Sequence, residues 1–231
     1  MYLPGHLLAM SLLASAILTA VAAPVSSHAG TRAPLFGTVE IRNTNLKPFP
    51  KWTGMLDRMF AEQGSTEGPC NSAAFNKCHR EHWQALIDQQ TGKPLLQQLQ
   101  SVNSFMNDKR YIVDPINWGV NDYWATPKQF FSKYGDCEDY AIAKYVTLKR
   151  LGLATEDMRI VVLQDLNLGI AHAVLAVFVN DRVMILDNQI KQVVNAQTIR
   201  HYRPIFSINE EAWWLHRPGG SAARARTGKA G

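Results

Sequence analysis

One of the three cysteines in the chain, Cys137, sits in the run KYGDCEDYAIAK, residues 133–144, among Asp136, Glu138 and Asp139. Gly135 breaks the preceding turn, Asp136 is a capping residue type, and the residues from Cys137 onward are strong helix formers until Gly152. The pattern predicts a helix whose first turn carries Cys137, with Asp139 at the reciprocal capping-box position usually held by Glu or Gln. There the free N–H groups and the helix dipole favour a thiolate, the nucleophilic form of cysteine. The acids oppose it, because neighbouring carboxylates raise a thiol's pKa. Two readings of them stand: they cap and solvate the helix start, or Asp136, Glu138 and Asp139 offer hard oxygens to a cation of the calcium type. The twelve-residue loop and glycine of an EF-hand are absent, so spacing alone makes the metal signal weak.

A nucleophilic cysteine needs a base, and the base needs an orienting group. Three strand-like runs follow the helix: RIVVLQ (159–164), AHAVLAVFVN (171–180) and DRVMILDNQ (181–189). Asn180-Asp181 suits a two-residue hairpin turn, which pairs Val179 with Arg182 and sets Val174 opposite Asp187. His172, two residues from Val174, lies on the same face, so His172 and Asp187 become diagonal neighbours within hydrogen-bond reach. A lone strand histidine is more often packed or exposed than catalytic, and an aspartate can simply end a strand. The conjunction with a cysteine at a helix start is what favours a Cys-His-Asp site. His28, His79, His82, His201 and His216 have no comparable partner.

These residues need a scaffold. Trp52, Met55, Leu56, Met59 and Phe60 recur at helical spacing in FPKWTGMLDRMFAEQG, and further helices are expected over 78–91 and, opened by Pro94, over 94–107. PLFGTVEIRN reads as a short strand or extended arm. The stretch KRYIVDPINWGVNDYWATP, rich in aromatics, Pro and Gly, reads as an ordered loop, after which Thr126-Pro127 opens a short helix. Trp213 and Trp214, late in the chain, read as core or lid packing, with a partner patch as the alternative. The length of 231 residues, 46% of them hydrophobic and 19% charged, suits one sizeable domain. Four of the cationic residues behind the net charge of +5 (Arg217, Arg224, Arg226, Lys229) lie in the segment 217–231, which reads as a flexible basic tail. The remainder is nearly neutral, which argues against a nucleic-acid partner.

The N-terminus points to export. Leu7 to Ala23 is an uncharged apolar run followed by Pro24 and polar residues, the pattern of a signal peptide over 1–29 with small-residue cleavage positions after Ala22 or Ala29. No Lys or Arg precedes it, so an uncleaved inner-membrane anchor stands as the alternative. In an oxidising compartment two cysteines tend to pair and the odd one is the candidate reactive thiol. Cys70 and Cys78 are the candidate disulfide; free thiols, or zinc held with His79 and His82 at a spacing that matches no common finger, are the competing readings.

W-x-T-P ahead of GDCEDYAIAK, then AHAVL, then ILDN, together resemble the bacterial transglutaminase-like cysteine proteinases, most closely their periplasmic LapG-type branch, over about residues 36–216. The resemblance implies an α+β fold with a papain-like, transglutaminase-like core in domain 30–216: N-terminal helices and a nucleophile-bearing helix packed on an antiparallel sheet. It implies Cys137 as nucleophile, His172 as general base and then acid, and Asp187 as the orienter of the imidazole. It implies Ca2+ at the carboxylates matching Asp136 and Glu138, with Asp139 beside them, and it makes Trp124 the oxyanion candidate, core packing being the other role open to that residue. The implied function is periplasmic endoproteolysis of a large surface adhesin at an alanine pair near its N-terminus, with biofilm dispersal as the outcome. The implied restraint is a LapD-like inner-membrane cyclic-di-GMP receptor. A transglutaminase proper, passing the acyl group to an amine, and a non-catalytic calcium-dependent binding module are the competing classes.

Overall fold

The structure, a computed structural model, describes residues 32–219. The signal-peptide reading of 1–29 and most of the proposed tail fall outside that range. The strand β1 (Thr38–Asn43) is followed by α1 (Pro50–Ala61), α2 (Lys77–Gln90), α3 (Leu95–Asn107), the single turn α4 (Asp114–Asn117), α5 (Pro127–Lys133) and α6 (Cys137–Arg150). The sheet strands β2 (Met158–Asp165), β3 (Ile170–Val179), β4 (Arg182–Leu186), β5 (Val194–Asn195), β6 (Tyr202–Ile208) and β7 (Trp213–Pro218) complete the order. The fold is α+β, with every neighbouring pair of strands antiparallel in the order β1-β7-β6-β2-β3-β4-β5.

The helices form where periodicity and capping agree. Asn76 caps α2 by accepting the His79 N–H, and Trp83, Leu86, Ile87 and Gln90 form its buried stripe. Thr126 and Gln129 make a reciprocal capping box at the start of α5. Helix α6 differs: nearly every residue from Glu138 to Leu148 is buried, the signature of a helix enclosed on all sides. It packs on β3 and β2 with one face and on α3 and α5 with others. The core between helices and sheet contains Trp52, Trp83, Phe130, Tyr145, Leu148, Ile160, Leu175 and Ile208, each aliphatic member worth ~1.5–3 kcal/mol of burial.

The hairpin forms in the expected register. Val179 pairs with Arg182 and Leu175 with Leu186 around Asn180, whose φ of 52° supplies the left-handed turn. The structure departs from the sequence reading at three places. The aromatic stretch after α3 is not all loop: Pro115 at the first turn of α4 presets its φ and allows one helical turn. β4 stops at Leu186, before Asp187, so the last residues of the third strand-like run lie outside the ladder. The third is at the C-terminal end, where β7 pairs with both β1 and β6 and runs to Pro218, two residues into the stretch read as tail. Trp213 and Trp214 belong to that strand. Trp213 packs on Phe49 and Trp214 under the Arg159 guanidinium, the core-packing role.

Candidate active site

Asp136 occupies the N-cap of α6, and Asp139, three residues on, accepts the Asp136 N–H at 3.3 Å. The other Asp139 oxygen accepts the Ala125 N–H at 2.7 Å, tying the segment before α5 to the start of α6. Gly135 makes this arrangement sterically accessible, since a Cβ there would lie 2.0 Å from Asp139 Oδ2. Cys137 follows in the first turn.

The thiol is set against the sheet. Helix α6 packs on β3, and the Ala173 N–H of that strand, directly after His172, works against the rise in the Cys137 pKa. His172 is buried, and its Nε2 lies 2.9 Å from Asp187 Oδ1. With Nε2 engaged, Nδ1 is the ring nitrogen left to serve a thiol. Asp187 is fully buried and held from several directions: Tyr202 Oη donates to Oδ2 at 2.6 Å, Gln189 N–H donates to Oδ1 at 2.8 Å, and Asn107 Nδ2 donates to its carbonyl at 2.7 Å. Burial pushes this carboxyl up, but the His172 and Tyr202 hydrogen bonds outweigh it and hold Asp187 below the usual range.

The acids around the thiol act in the opposite direction. Burial first and the Glu138 carboxylate second push the Cys137 thiol up, and Sγ donates to Glu138 Oε2 at 3.2 Å. Burial, reinforced by Asp136 and Asp139, pushes Glu138 up to about 9. Asp114 enters from α4. It is fully buried, accepts the Tyr123 N–H, and is pushed up to about 6 by burial, reinforced by Asp136. Oxygens of Asp136, Glu138 and Cys137 Sγ, of Asp114, Asp136 and Asp139, and of Asp114, Asp122 and Glu138 form three overlapping groups, each within 4.8 Å. Among the described residues, Asp114 Oδ1 and Asp136 Oδ1 are buried without a hydrogen-bond partner. Hard, mutually repelling oxygens with two orphaned buried atoms fit a divalent cation of the calcium type. Asp136, Glu138 and Asp114 are the donors best placed to hold it, because both oxygens of Asp139 already accept backbone N–H groups.

Trp124 has a packing role. Its ring meets Trp52 edge-on with centroids 6.2 Å apart, and its carbonyl accepts from Arg58 Nη2 at 2.6 Å. Cys70 and Cys78 form a disulfide, leaving Cys137 as the free thiol. Sequence reasoning missed Tyr202, Asn107, Asp114 and Asp122. Of these only Asp114-Pro115, an acid at a helix-opening proline, carried a local signal.

A free thiol at the start of a helix, and an antiparallel sheet beneath that helix carrying a buried histidine–aspartate pair, fit one class: a cysteine peptidase of papain-like architecture. Residues 66–216 match the family model of the bacterial transglutaminase-like cysteine proteinases, and the chain belongs to that family. Among solved structures it is similar to Legionella pneumophila LapG, at 35% identity over 65% of this chain and 84% of that one, with a TM-score of 0.56. A calcium-bound form of Legionella pneumophila LapG aligns at 30% identity over 75% of this chain and 98% of that one, with a TM-score of 0.57. An EGTA-treated form aligns at 36% identity over 61% and 77%, with a TM-score of 0.56. No curated protein sequence matches the chain.

Proposed function

We propose that this cysteine proteinase is a calcium-dependent endopeptidase of the LapG type, using Cys137 as nucleophile, His172 as general base and acid, and Asp187 as orienter. The observation that supports it most directly is a buried histidine whose Nε2 bonds a buried carboxylate, on the strand β3 against which the helix opened by Cys137 packs. In the reaction, Cys137 Sγ attacks the scissile carbonyl carbon while its proton passes to His172 Nδ1. The same imidazolium then protonates the leaving amine as the C–N bond breaks, giving a thioester and a new N-terminus. His172 next takes a proton from water, whose oxygen attacks the thioester, and the acid product leaves as Sγ recovers a proton. Asp187 keeps the imidazole in the tautomer with its proton on Nε2 and stabilises the imidazolium. The Cys137 backbone N–H at the first turn of α6 is a natural donor to the developing oxyanion.

A calcium ion held by Asp136, Glu138 and Asp114 would supply positive charge that offsets the carboxylate field on the thiol. Without it, Glu138 Oε2 holds the thiol proton and the cluster opposes ionisation of Sγ. The substrate we propose is a large cell-surface adhesin, cut near its N-terminal retention region so that the cell is released from a biofilm. The proposed location is the periplasm, with 1–29 as the export signal or an inner-membrane anchor, and the proposed restraint is a LapD-like cyclic-di-GMP receptor.

The test is incubation of the N-terminal region of the host's largest surface adhesin with the purified protein, in calcium, in EGTA, and as Cys137→Ala. A discrete product seen only with calcium and the native cysteine is expected. Cleavage that persists in EGTA would remove calcium from the proposal, and a folded protein that cuts nothing would remove the substrate. Incorporation of an amine into a glutamine acceptor would instead favour the transferase class.

A further inference from the structure

Residues directly opposite each other on neighbouring strands share a face of the sheet. Ile41 on β1 pairs with Leu215 on β7, Leu215 with Phe206 on β6, Phe206 with Val162 on β2, and Val162 with Ala173 on β3. One apolar row therefore crosses the sheet on the side where the helices pack, and it ends at Ala173, directly after His172. The helices cover this row unevenly. Ala173 is buried, Val162, Phe206 and Leu215 are half-buried, and Ile41 is exposed. Over Val162 and Phe206 lies a cavity of about 280 Å³, walled by Phe49, Pro50, Trp52 and Trp124. Phe49, just ahead of α1, rests on Phe206 with ring centroids 4.8 Å apart, and Trp124 meets Trp52 at 6.2 Å, so the walls hold one another in place. The half-exposed ion pair of Lys51 and Asp122 stands at the mouth.

Contacts tie this cavity to the nucleophile. Ala125, next to Trp124, donates its N–H to Asp139 in the first turn of α6 at 2.7 Å. Asp122 and Glu138 each bring a carboxylate oxygen within 4.8 Å of the other, and Glu138 Oε2 lies 3.2 Å from Cys137 Sγ. At about 3.3 Å per residue of extended chain, the mouth stands about two or three residues from the reacting sulfur. We propose that the cavity is a specificity pocket of the proteinase, taking one large apolar side chain of the extended substrate about two or three residues from the scissile bond. A dry cavity of about 150 Å³ already accepts a benzene ring, so this one has room for Leu, Met or Phe. Its walls offer no charge, and Lys51 and Asp122 already neutralise each other, so an ionised side chain inside would be desolvated without a partner. Alanine would leave the space unfilled and forfeit the burial. The inference rests on the reading of Cys137 as the nucleophile of an endopeptidase.

The test uses the full chain in calcium and, as probe, the N-terminal region of the host's largest surface adhesin. Each of the three residues on either side of the mapped cut is changed in turn to Ala, Leu, Phe and Asp. At one position two or three residues from the cut, Leu is expected to give a kcat/KM about tenfold above Ala or Asp. Val162→Phe, which puts a ring into the cavity, is expected to reduce that ratio to about threefold or less, and Phe206→Leu, which widens it, to raise Phe relative to Leu at the same position. A native protein with no such preference, or a folded Val162→Phe that keeps it and slows every fragment alike, overturns the pocket and leaves the triad standing. A folded native protein that cuts no fragment overturns the substrate proposed above and this inference with it. Should Val162→Phe fail to fold, Phe206→Leu decides, and an unchanged order of Leu and Phe overturns the pocket.

Discussion

Tyr202→Phe isolates one hydrogen bond in the site. The ring is buried, packs edge-on against His172 at 5.8 Å and against Phe36 at 6.0 Å, and all of that packing survives the change. Only Oη is lost, and with it the one donor to Asp187 Oδ2 among the described residues, since His172 and Gln189 both serve Oδ1. A hydrogen bond to a charged group contributes about 1.5–3 kcal/mol, and the deleted partner leaves a fully buried carboxylate oxygen unsatisfied. Unfolding in urea should show a loss of that size at neutral pH with the slope unchanged. The pH dependence has a definite sign. Asp187 is depressed in the folded state, so the stability it contributes is present above its unfolded pKa and is lost as pH falls through the folded one. Tyr202→Phe moves the folded pKa up toward the unfolded one, so acid removes less stability through Asp187 and the loss is complete at a higher pH than in the native protein. Cleavage should fall by about tenfold if some 1.4 kcal/mol of the loss reaches the transition state. In an Asp187→Asn background the same substitution should have a much smaller effect. Native stability and native activity in a folded Tyr202→Phe would refute the claim that Tyr202 holds the carboxylate.

Other consequences concern the cluster and the scaffold. In EGTA the protein should lose stability as pH rises from the ordinary carboxylate range toward 9, because Glu138 and Asp114 are raised in the fold and their stabilising protonated forms disappear; thermal melts that are flat with pH in EGTA would contradict this, and calcium should reduce the slope. Asp114→Asn should raise the melting temperature in EGTA, by removing a repelling charge, while shrinking the increment that calcium adds. Gly135→Ala forces a Cβ against Asp139 and should destabilise the fold by about 1–3 kcal/mol, read by urea unfolding. Replacing both Cys70 and Cys78 by Ser releases a short closed loop and should cost about 2–3 kcal/mol on loop-entropy grounds, with the Cys137 alkylation rate unchanged.

What could be read from the sequence was local. A cap, a glycine and a run of helix formers placed Cys137 at the start of α6, and a two-residue turn at Asn180 fixed the register that brings His172 and Asp187 together. The partners that complete the site come from elsewhere in the chain. Tyr202 reaches Asp187 from β6, a strand on the far side of β2 and β3. Asp114 is the most informative omission. Read alone, the acids beside Cys137 are a contradiction, since Asp136, Glu138 and Asp139 oppose the thiolate that the helix start favours. The fold adds a fourth carboxylate, Asp114, itself fully buried, from a separate segment. An ion shared by Asp114 and the acids of α6 would then join the α4 turn to the nucleophile helix, much as the Asp139–Ala125 hydrogen bond joins the segment before α5 to it. The acidity that handicaps the thiol would thereby make assembly of the active site conditional on the metal.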